Sequence, residues 1–293
     1  MKYNVKEKII ESFLSFAAIL NLFITVSIIL VLLIESVSFF KSISIIEFLT
    51  SKEWTPLFDK KSYGILPLLC GTFLTSIIAL LFAVPVGLSI AVYLSEYAHP
   101  VFKRNVKPLL ELLAAVPTVV YGFFALVIVT PLLQKIIPGL AGFNALSPGI
   151  VMGIMITPMI TSMSEDALSI VPKYLREAAY GIGSTRFQTA TRVAIPAASS
   201  GILASIILAI SRAIGETMIV AIAAGQQPRF TLNPLVPIET ITTYIVQVSL
   251  GDVPHNSIEF KTIFVAGITL FVFSFILNNV SFYIRKKYRE KYV

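Results

Sequence analysis

Residues 165–216 read EDALSIVPKYLREAAYGIGSTRFQTATRVAIPAASSGILASIILAISRAIGE, and two signals of different kinds lie end to end in them. The first half is a charged island between two strongly apolar segments. It opens on a helix-like run through Glu177, Ala178 and Ala179, turns at Gly181 and Gly183, and closes at Pro196. The second half is an apolar run holding Arg212 and Glu216, one helical turn apart, where a membrane span tolerates charge poorly. The two halves predict an island that receives a partner and a buried pair that meets a substrate.

Composition supports a membrane setting. The 293 residues are 56% hydrophobic and 13% charged, where soluble domains carry about a quarter charged residues. A formal charge of +7 points to nucleic acid only where basic residues cluster on a folded polar domain, and the sequence has no such domain. Nucleic acid is therefore excluded as a partner, and the lipid membrane is the first partner expected. Cys70 is the single cysteine, which excludes an internal disulfide and a cysteine-built zinc site.

Crossing about 30 Å of hydrocarbon takes roughly 20 apolar residues in a helix. Six stretches qualify: 13–34, 65–94, 109–133, 145–163, 197–224 and 262–284. The expected fold is an all-α, six-span helical bundle forming one transmembrane domain over 1–293. The first stretch exceeds the roughly 7 to 15 residues of a signal h-region. It reads as a retained span, although Ser36-Val37-Ser38 has the small residues of a cleavage site. Pro85, Pro117, Pro131 and Pro158 fall inside spans, where neighbouring helices or a water-lined cavity must satisfy the freed carbonyls.

Orientation follows from Lys and Arg. Fifteen lie in the N-terminus, the loop of Lys103, Arg104 and Lys107, the island and the C-terminus; seven lie in the opposite loops. By the positive-inside rule both termini and the island are cytoplasmic. The outer segments 35–64 and 225–261 contain Trp54, several prolines and nearly balanced charge. Short ordered structure is expected there rather than disordered tails.

Within the island, Pro172 suits the first turn of a short helix, because the N–H it lacks would be unpaired there. Leu175, Ala178, Ala179 and Ile182 recur at helical spacing, Gly181 and Gly183 can reverse the chain, and Thr185 with Gln188 fits a capping box. Two short helices on a glycine elbow make a protruding knob. On these features alone, a docking surface and an ordinary charged loop remain equal readings. The spacing of Glu177-Ala178-Ala179, three residues, Gly183, nine residues, Val193, Ile195 and Pro196 resembles the EAA signature of ABC importer permeases, E-A-A-x3-G-x9-I-x-L-P, with Val193 and Ile195 as conservative departures. The resemblance implies the type I ABC importer permease fold, with the first helix as a coupling helix seated on a cytoplasmic ATPase dimer. It further implies that Glu177 makes a polar contact at that seat, that Ala178 and Ala179 allow close approach, and that Gly183 sets the turn before the chain closes at Pro196.

For Arg212 and Glu216 the residues leave two readings open. One is a pair that glues helices, and the other is a guanidinium offering forked donors to an oxyanion, with Ser211 and Thr217 as hydroxyl partners. Residues 211–218, SRAIGETM, resemble the R-A-x-G-E-T-M segment of phosphate-specific ABC permeases. Residues 64–69 (GILPLL) with Gly71-Thr72, residues 94–97 (LSEY) and residues 107–122 (KPLLELLAAVPTVVYG) resemble the C-type, or PstC, family in order and position. That likeness implies inorganic phosphate as substrate, moved by alternating access across a prokaryotic cytoplasmic membrane. The partners it implies are an A-type permease subunit forming a heterodimer, the ATPase dimer and an extracytoplasmic phosphate-binding protein. Met218 and residues 107–122 favour the C-type over the A-type.

No G-x-x-x-x-G-K-[ST] loop occurs, so ATP and Mg belong to the partner ATPase and this chain is a transport subunit with no catalytic residue, metal or cofactor of its own. Without H-E-x-x-H, and with His99 and His255 assigned to opposite faces, a metalloprotease is excluded. Glu165-Asp166 reads as a solvated helix start rather than an acid dyad. The alternatives kept are a permease for another oxyanion, such as molybdate or phosphonate, and a channel or scaffold independent of nucleotide.

Overall fold

Proline and glycine decide where the long apolar runs stop being helix. The computed structural model of the chain describes residues 5–255 and 257–287; Lys2, Arg289 and Lys291, counted above for orientation, lie outside the described residues. Helix α1 covers Val5–Phe40, α2 Ile45–Thr50, α3 Leu66–Tyr97 and α4 Pro100–Ala114. Then come α5 Thr118–Ile136, α6 Leu146–Ile170, α7 Lys173–Gly181 and α8 Arg186–Ala197. Helices α9 Ser199–Ile214, α10 Met218–Ala223, α11 Ile241–Leu250 and α12 Ile258–Lys287 complete the order. The described residues form no strand, only isolated bridges at Trp54–Tyr63 and Gly225–Ile238.

Five helices are long and apolar enough to cross a membrane, and the bent pair α8 and α9 brings the number to six. Two of the expected spans need correction. The third does not run over 109–133: α4 ends at Ala114, and the crossing helix starts at Thr118. Pro117 causes this, since it disfavours helical geometry at the residue before it, and it stands in extended conformation (ψ 135°) as the cap of α5. Tyr121 holds the two pieces together by donating to the Leu113 carbonyl at 2.8 Å. The fifth span does not run continuously over 197–224 either. It turns by 73° between α8 and α9, just after Pro196, and stops at Ile214.

Tight approach of α3 to α6 forms the centre of the bundle. Added methyl groups at Gly87 and Gly153 would meet Ile160 and the Ala79 carbonyl at 2.9 Å, so bare backbone is what lets these helices close up. Ala79, Ala83, Met152, Met155, Ile156 and Ile160 fill the seam fully buried. Thr161 donates to the Gly87 carbonyl at 3.2 Å, and the Ser164 and Ser205 hydroxyls meet at 2.8 Å, tying in α9.

At the end opposite the island, the two long segments are ordered, as their composition suggested. The α1 end, α2, α11 and the start of α12 enclose an aromatic core of Phe39, Phe48, Trp54, Tyr63 and Tyr244. Edge-to-face contacts run through it, with Trp54 against Tyr244 at 5.0 Å. Lys61 pairs with Glu259 at 2.5 Å, and Lys261 donates to Ser38 at 2.7 Å.

Candidate functional site

The island folds as two short helices about a glycine elbow. Pro172 caps α7 with an extended backbone, and α7 ends in a Schellman motif: the Gly183 N–H donates to Tyr180 O at 2.9 Å and the Ser184 N–H to Ala179 O at 3.0 Å. Gly183 takes φ +86° to allow this, whereas Gly181 stays out of the left-handed region. Thr185 and Gln188 form the capping box in both directions, at 3.3 and 2.9 Å, and so start α8. Glu177 and Ala178 face outward, but Ala179 is buried within the chain, so only one alanine of the pair is open to a partner. The outward surface is richer in large side chains than the expected apolar face. Tyr174, Tyr180, Ile182 and Phe187 are all exposed on it.

One residue fastens this knob to the bundle. The Arg176 guanidinium donates to both Glu96 carboxylate oxygens from Nε, at 3.2 and 3.1 Å, and again from Nη2 at 2.8 Å. It also donates to the Val171 and Leu168 carbonyls at 2.7 and 2.8 Å. Those carbonyls belong to the C-terminal turn of α6, where orphan acceptors need donors. Glu96 sits in the last, π-helical turn of α3. A single side chain thus joins α7 to the ends of α3 and α6. Sequence reading placed Glu96 only within residues 94–97; a lone acid ending an apolar run was the signal that it needs a cation.

A second cluster corrects the reading of Glu165-Asp166 as a solvated helix start. Both lie near the end of α6; Glu165 is 2% exposed. Lys103 and Lys107 of α4 pair with Glu165, and Lys107 reaches Asp166 at 2.5 Å. The hydrogen bond to Asp166, aided by Glu165 against some desolvation, holds the Lys107 ammonium above its ordinary pKa. The four charges lash α4 across α6.

Arg212 and Glu216 do not form the pair that i, i+4 spacing predicts. The helix ends at Ile214 with Gly215 as its cap, and Thr217 (φ −117°, ψ −55°) leaves helical geometry. The Glu216 carboxylate instead accepts from the Met218 and Ile219 N–H groups at 3.1 and 3.3 Å, capping α10, while Thr242 donates to its carbonyl at 2.8 Å. Ser211 turns to Asn278 at 3.4 Å, and Thr217 bonds the Gly215 carbonyl at 3.3 Å. Of the four expected pathway residues, Arg212 stands apart. It has no carboxylate partner among the described residues, and it lines a cavity of about 240 Å³ with Glu111, Met155 and Met159. Its contact there is the Met155 sulfur at 4.0 Å. Glu111, on α4, is a carboxylate of this cavity that spacing along the chain could not have connected to Arg212.

Such a bundle, with a bent crossing helix behind a short capped knob, has known counterparts. A bacterial ABC transporter that imports the acidic polysaccharide alginate superposes with a TM-score of 0.63, covering 98% of this chain and 99% of that one at 16% identity. The MetNI methionine ABC transporter in an inward-facing form gives 0.56 over 78% and 95% at 17% identity. These likenesses concern the fold alone. In sequence, the chain is 36% identical to the probable ABC transporter permease protein YqgH of Bacillus subtilis, covering 80% of this chain and 75% of that protein. It is 35% identical to the phosphate transport system permease protein PstC of Mesorhizobium japonicum, over 80% and 77%. It is 30% identical to the probable PstC of Methanocaldococcus jannaschii, over 79% and 78%. The family of binding-protein-dependent transport system inner membrane components matches residues 83–290, a range that takes in the island, its Arg176 joint and the Arg212 cavity, and the chain belongs to that family.

Proposed function

We propose that the chain is the C-type permease subunit of an ABC importer that moves inorganic phosphate across the cytoplasmic membrane. The observation that carries this reading is Arg212: a guanidinium near the end of a membrane helix, facing a cavity, with no carboxylate bound to it among the described residues. At the centre of a span an arginine costs about 2.5 to 3.5 kcal/mol on insertion scales, and the helix of Arg212 stops at Ile214 inside the apolar run 197–224. A passing oxyanion offsets that cost by accepting the forked N–H donors. The relatives named as phosphate permeases support the choice of anion.

The island is cytoplasmic in this reading and seats α7 on an ATPase dimer, which binds ATP and Mg. The A-type permease closes the pathway from the other side, and a phosphate-binding protein delivers substrate to the outer face. When the ATPase subunits close, the push on α7 passes through Arg176 to α3 and α6, and through α8 to α9, which carries Arg212. Alternating access is then a rocking of these helices about the substrate. Glu111 lines the same cavity without pairing with Arg212, which leaves the guanidinium free to meet phosphate.

The test is uptake by the four-component complex reconstituted in vesicles. Labelled phosphate should accumulate on ATP addition, and molybdate and phosphonate should not compete. Uptake of either of those anions with phosphate ignored would overturn the assignment.

A further inference from the structure

At the end opposite the island, a cavity of about 640 Å³ opens in the crevice between α1 and α12. Its polar lining is Glu35, Ser38 and Lys41 from the end of α1, with His255 and Lys261 from the start of α12. Val37, Phe260 and Phe264 supply apolar walls, and the His255 ring stands edge-on to Phe260 with centroids 4.6 Å apart. Deeper along both helices the crevice shuts, since a methyl group added at Gly267 would meet Leu32 at 3.0 Å. The cavity is therefore a wedge, apolar where it narrows and charged at its mouth.

The depth of that mouth is the depth of lipid headgroups. The apolar run of α1 ends at Ile34, and that of α12 begins at Thr262. At about 1.5 Å per residue, Glu35 and Ser38 stand roughly 2 to 6 Å beyond the hydrocarbon, within a headgroup layer of roughly 5 to 8 Å on each side. Lysines at helix ends commonly anchor spans to this layer. Here two of them, one from each helix, converge on a single cavity that also holds an acid. The Lys261 ammonium donates to the Ser38 hydroxyl at 2.7 Å, which leaves it two more donors and leaves Ser38 its own proton to give. Lys41 is exposed, and neither Lys41 nor Glu35 forms an ion pair among the described residues. Glu259, the acid nearest Lys261 along the chain, is taken by Lys61.

We infer that this wedge binds one glycerophospholipid with an ethanolamine headgroup, its phosphate diester between Lys41 and Lys261 and its primary ammonium at Glu35. Charge complementarity selects this occupant. Two cations and one anion at the mouth mirror a zwitterion whose phosphate accepts hydrogen bonds and whose ammonium donates them. A glycerol headgroup would set its phosphate beside Glu35 with no cation to meet the carboxylate, and a choline headgroup has no N–H to donate. The start of the acyl chains lies against Val37, Phe260 and Phe264. Their remainder follows the apolar face of α1, where Phe23, Leu30 and Ile34 are exposed. The volume falls within the roughly 300 to 1,000 Å³ of small-molecule sites. Because α1 rests mainly on α12, a lipid lodged between their ends fastens the first span to the bundle.

The full-length chain in mixed micelles is titrated with phosphatidylethanolamine, phosphatidylglycerol and phosphatidylcholine of identical acyl chains, and retained lipid is counted by native mass spectrometry. One phosphatidylethanolamine per chain should survive delipidation and raise the thermal unfolding midpoint saturably. The other two lipids should bind roughly fivefold more weakly or worse, and Lys41→Gln, at an exposed position, should weaken phosphatidylethanolamine by roughly the same factor. Glu35→Gln should erase the preference, so that phosphatidylglycerol binds as well as phosphatidylethanolamine. Equal retention of all three lipids by the unaltered chain, or undiminished retention in Lys41→Gln, would overturn the site. Inorganic phosphate at the concentration of the lipid should leave the bound lipid in place; displacement would make the wedge a site for the free anion and overturn the lipid.

Discussion

Replacing Arg176 with methionine removes the fastening between the island and the bundle, and the loss can be worked out from its partners. The Arg176 and Glu96 side chains are 16% and 4% exposed, which places the pair in the buried regime rather than among surface pairs worth about 0 to 1 kcal/mol. Deleting one partner of a buried pair leaves the other charge uncompensated and costs about 3 to 5 kcal/mol. Arg176→Met should therefore lower the stability of the chain by about that amount. The double variant Glu96→Met with Arg176→Met leaves no orphan charge. It still lacks the two donors to the Leu168 and Val171 carbonyls, charged hydrogen bonds worth about 1.5 to 3 kcal/mol each before water replaces them. The double variant should accordingly recover part of the loss and stay below the unaltered chain. Equilibrium unfolding in mixed detergent micelles of all four proteins gives the interaction energy directly, expected at about 2 kcal/mol or more. If each variant lies within about 1 kcal/mol of the unaltered chain, the pair is an ordinary surface contact and the joint through Arg176 is wrong.

Gly183→Val tests the elbow. Open space surrounds this position, so the cost is the left-handed backbone, roughly 1 to 2 kcal/mol and more for a branched side chain. The chain should still fold but lose phosphate uptake and co-purify poorly with its ATPase; normal transport would remove the docking claim. Glu239 gives a pH prediction. Its carboxyl titrates at about 8 in the folded chain against an ordinary 4.5. The folded state therefore keeps a proton that the unfolded state releases, and stability falls as pH rises from about 4.5 to about 8. At about 1.36 kcal/mol per pH unit the ceiling is about 5 kcal/mol. Glu239→Gln should flatten the profile measured by thermal unfolding between pH 5 and 8; an unchanged slope would contradict the burial of an ionisable group there.

The island was legible in the sequence because its signals are local. A proline cap, a left-handed glycine and a Thr-Gln capping box each act within four residues, and Pro172, Gly183, Thr185 and Gln188 occupy the places their spacing predicts. Membrane crossing was legible for the same reason, as a run of apolar residues. What spacing misjudged is where helices break inside apolar sequence. Residues 109–133 and 197–224 look continuous on hydropathy, but Pro117 and the Gly215-Glu216-Thr217 step interrupt them. The second break decided the Arg212 reading, since i, i+4 pairing presumes an unbroken helix. A glycine followed by an acid and a threonine ahead of an apolar turn was itself a stop-and-cap signal. The remaining features join residues far apart in the chain: Glu96 with Arg176, Lys103 and Lys107 with Glu165, Glu111 with Arg212, Lys41 with Lys261. Nothing local encodes such meetings, and the packing of α3, α4, α6, α7 and α9 brings the first three about.

The central claim is that Arg212 meets the anion during transport. Its most direct measurement is ATP-driven phosphate uptake by the reconstituted complex carrying Arg212→Gln or Arg212→Lys. Losing a charged donor to an oxyanion costs about 1.5 to 3 kcal/mol, so Arg212→Gln should assemble, bind its ATPase and hydrolyse ATP while uptake falls roughly 10- to 150-fold. Arg212→Lys should restore part of it, because a single ammonium lacks the fork. Uptake at the unaltered rate in Arg212→Gln would contradict the account and leave Arg212 a residue of helix packing alone.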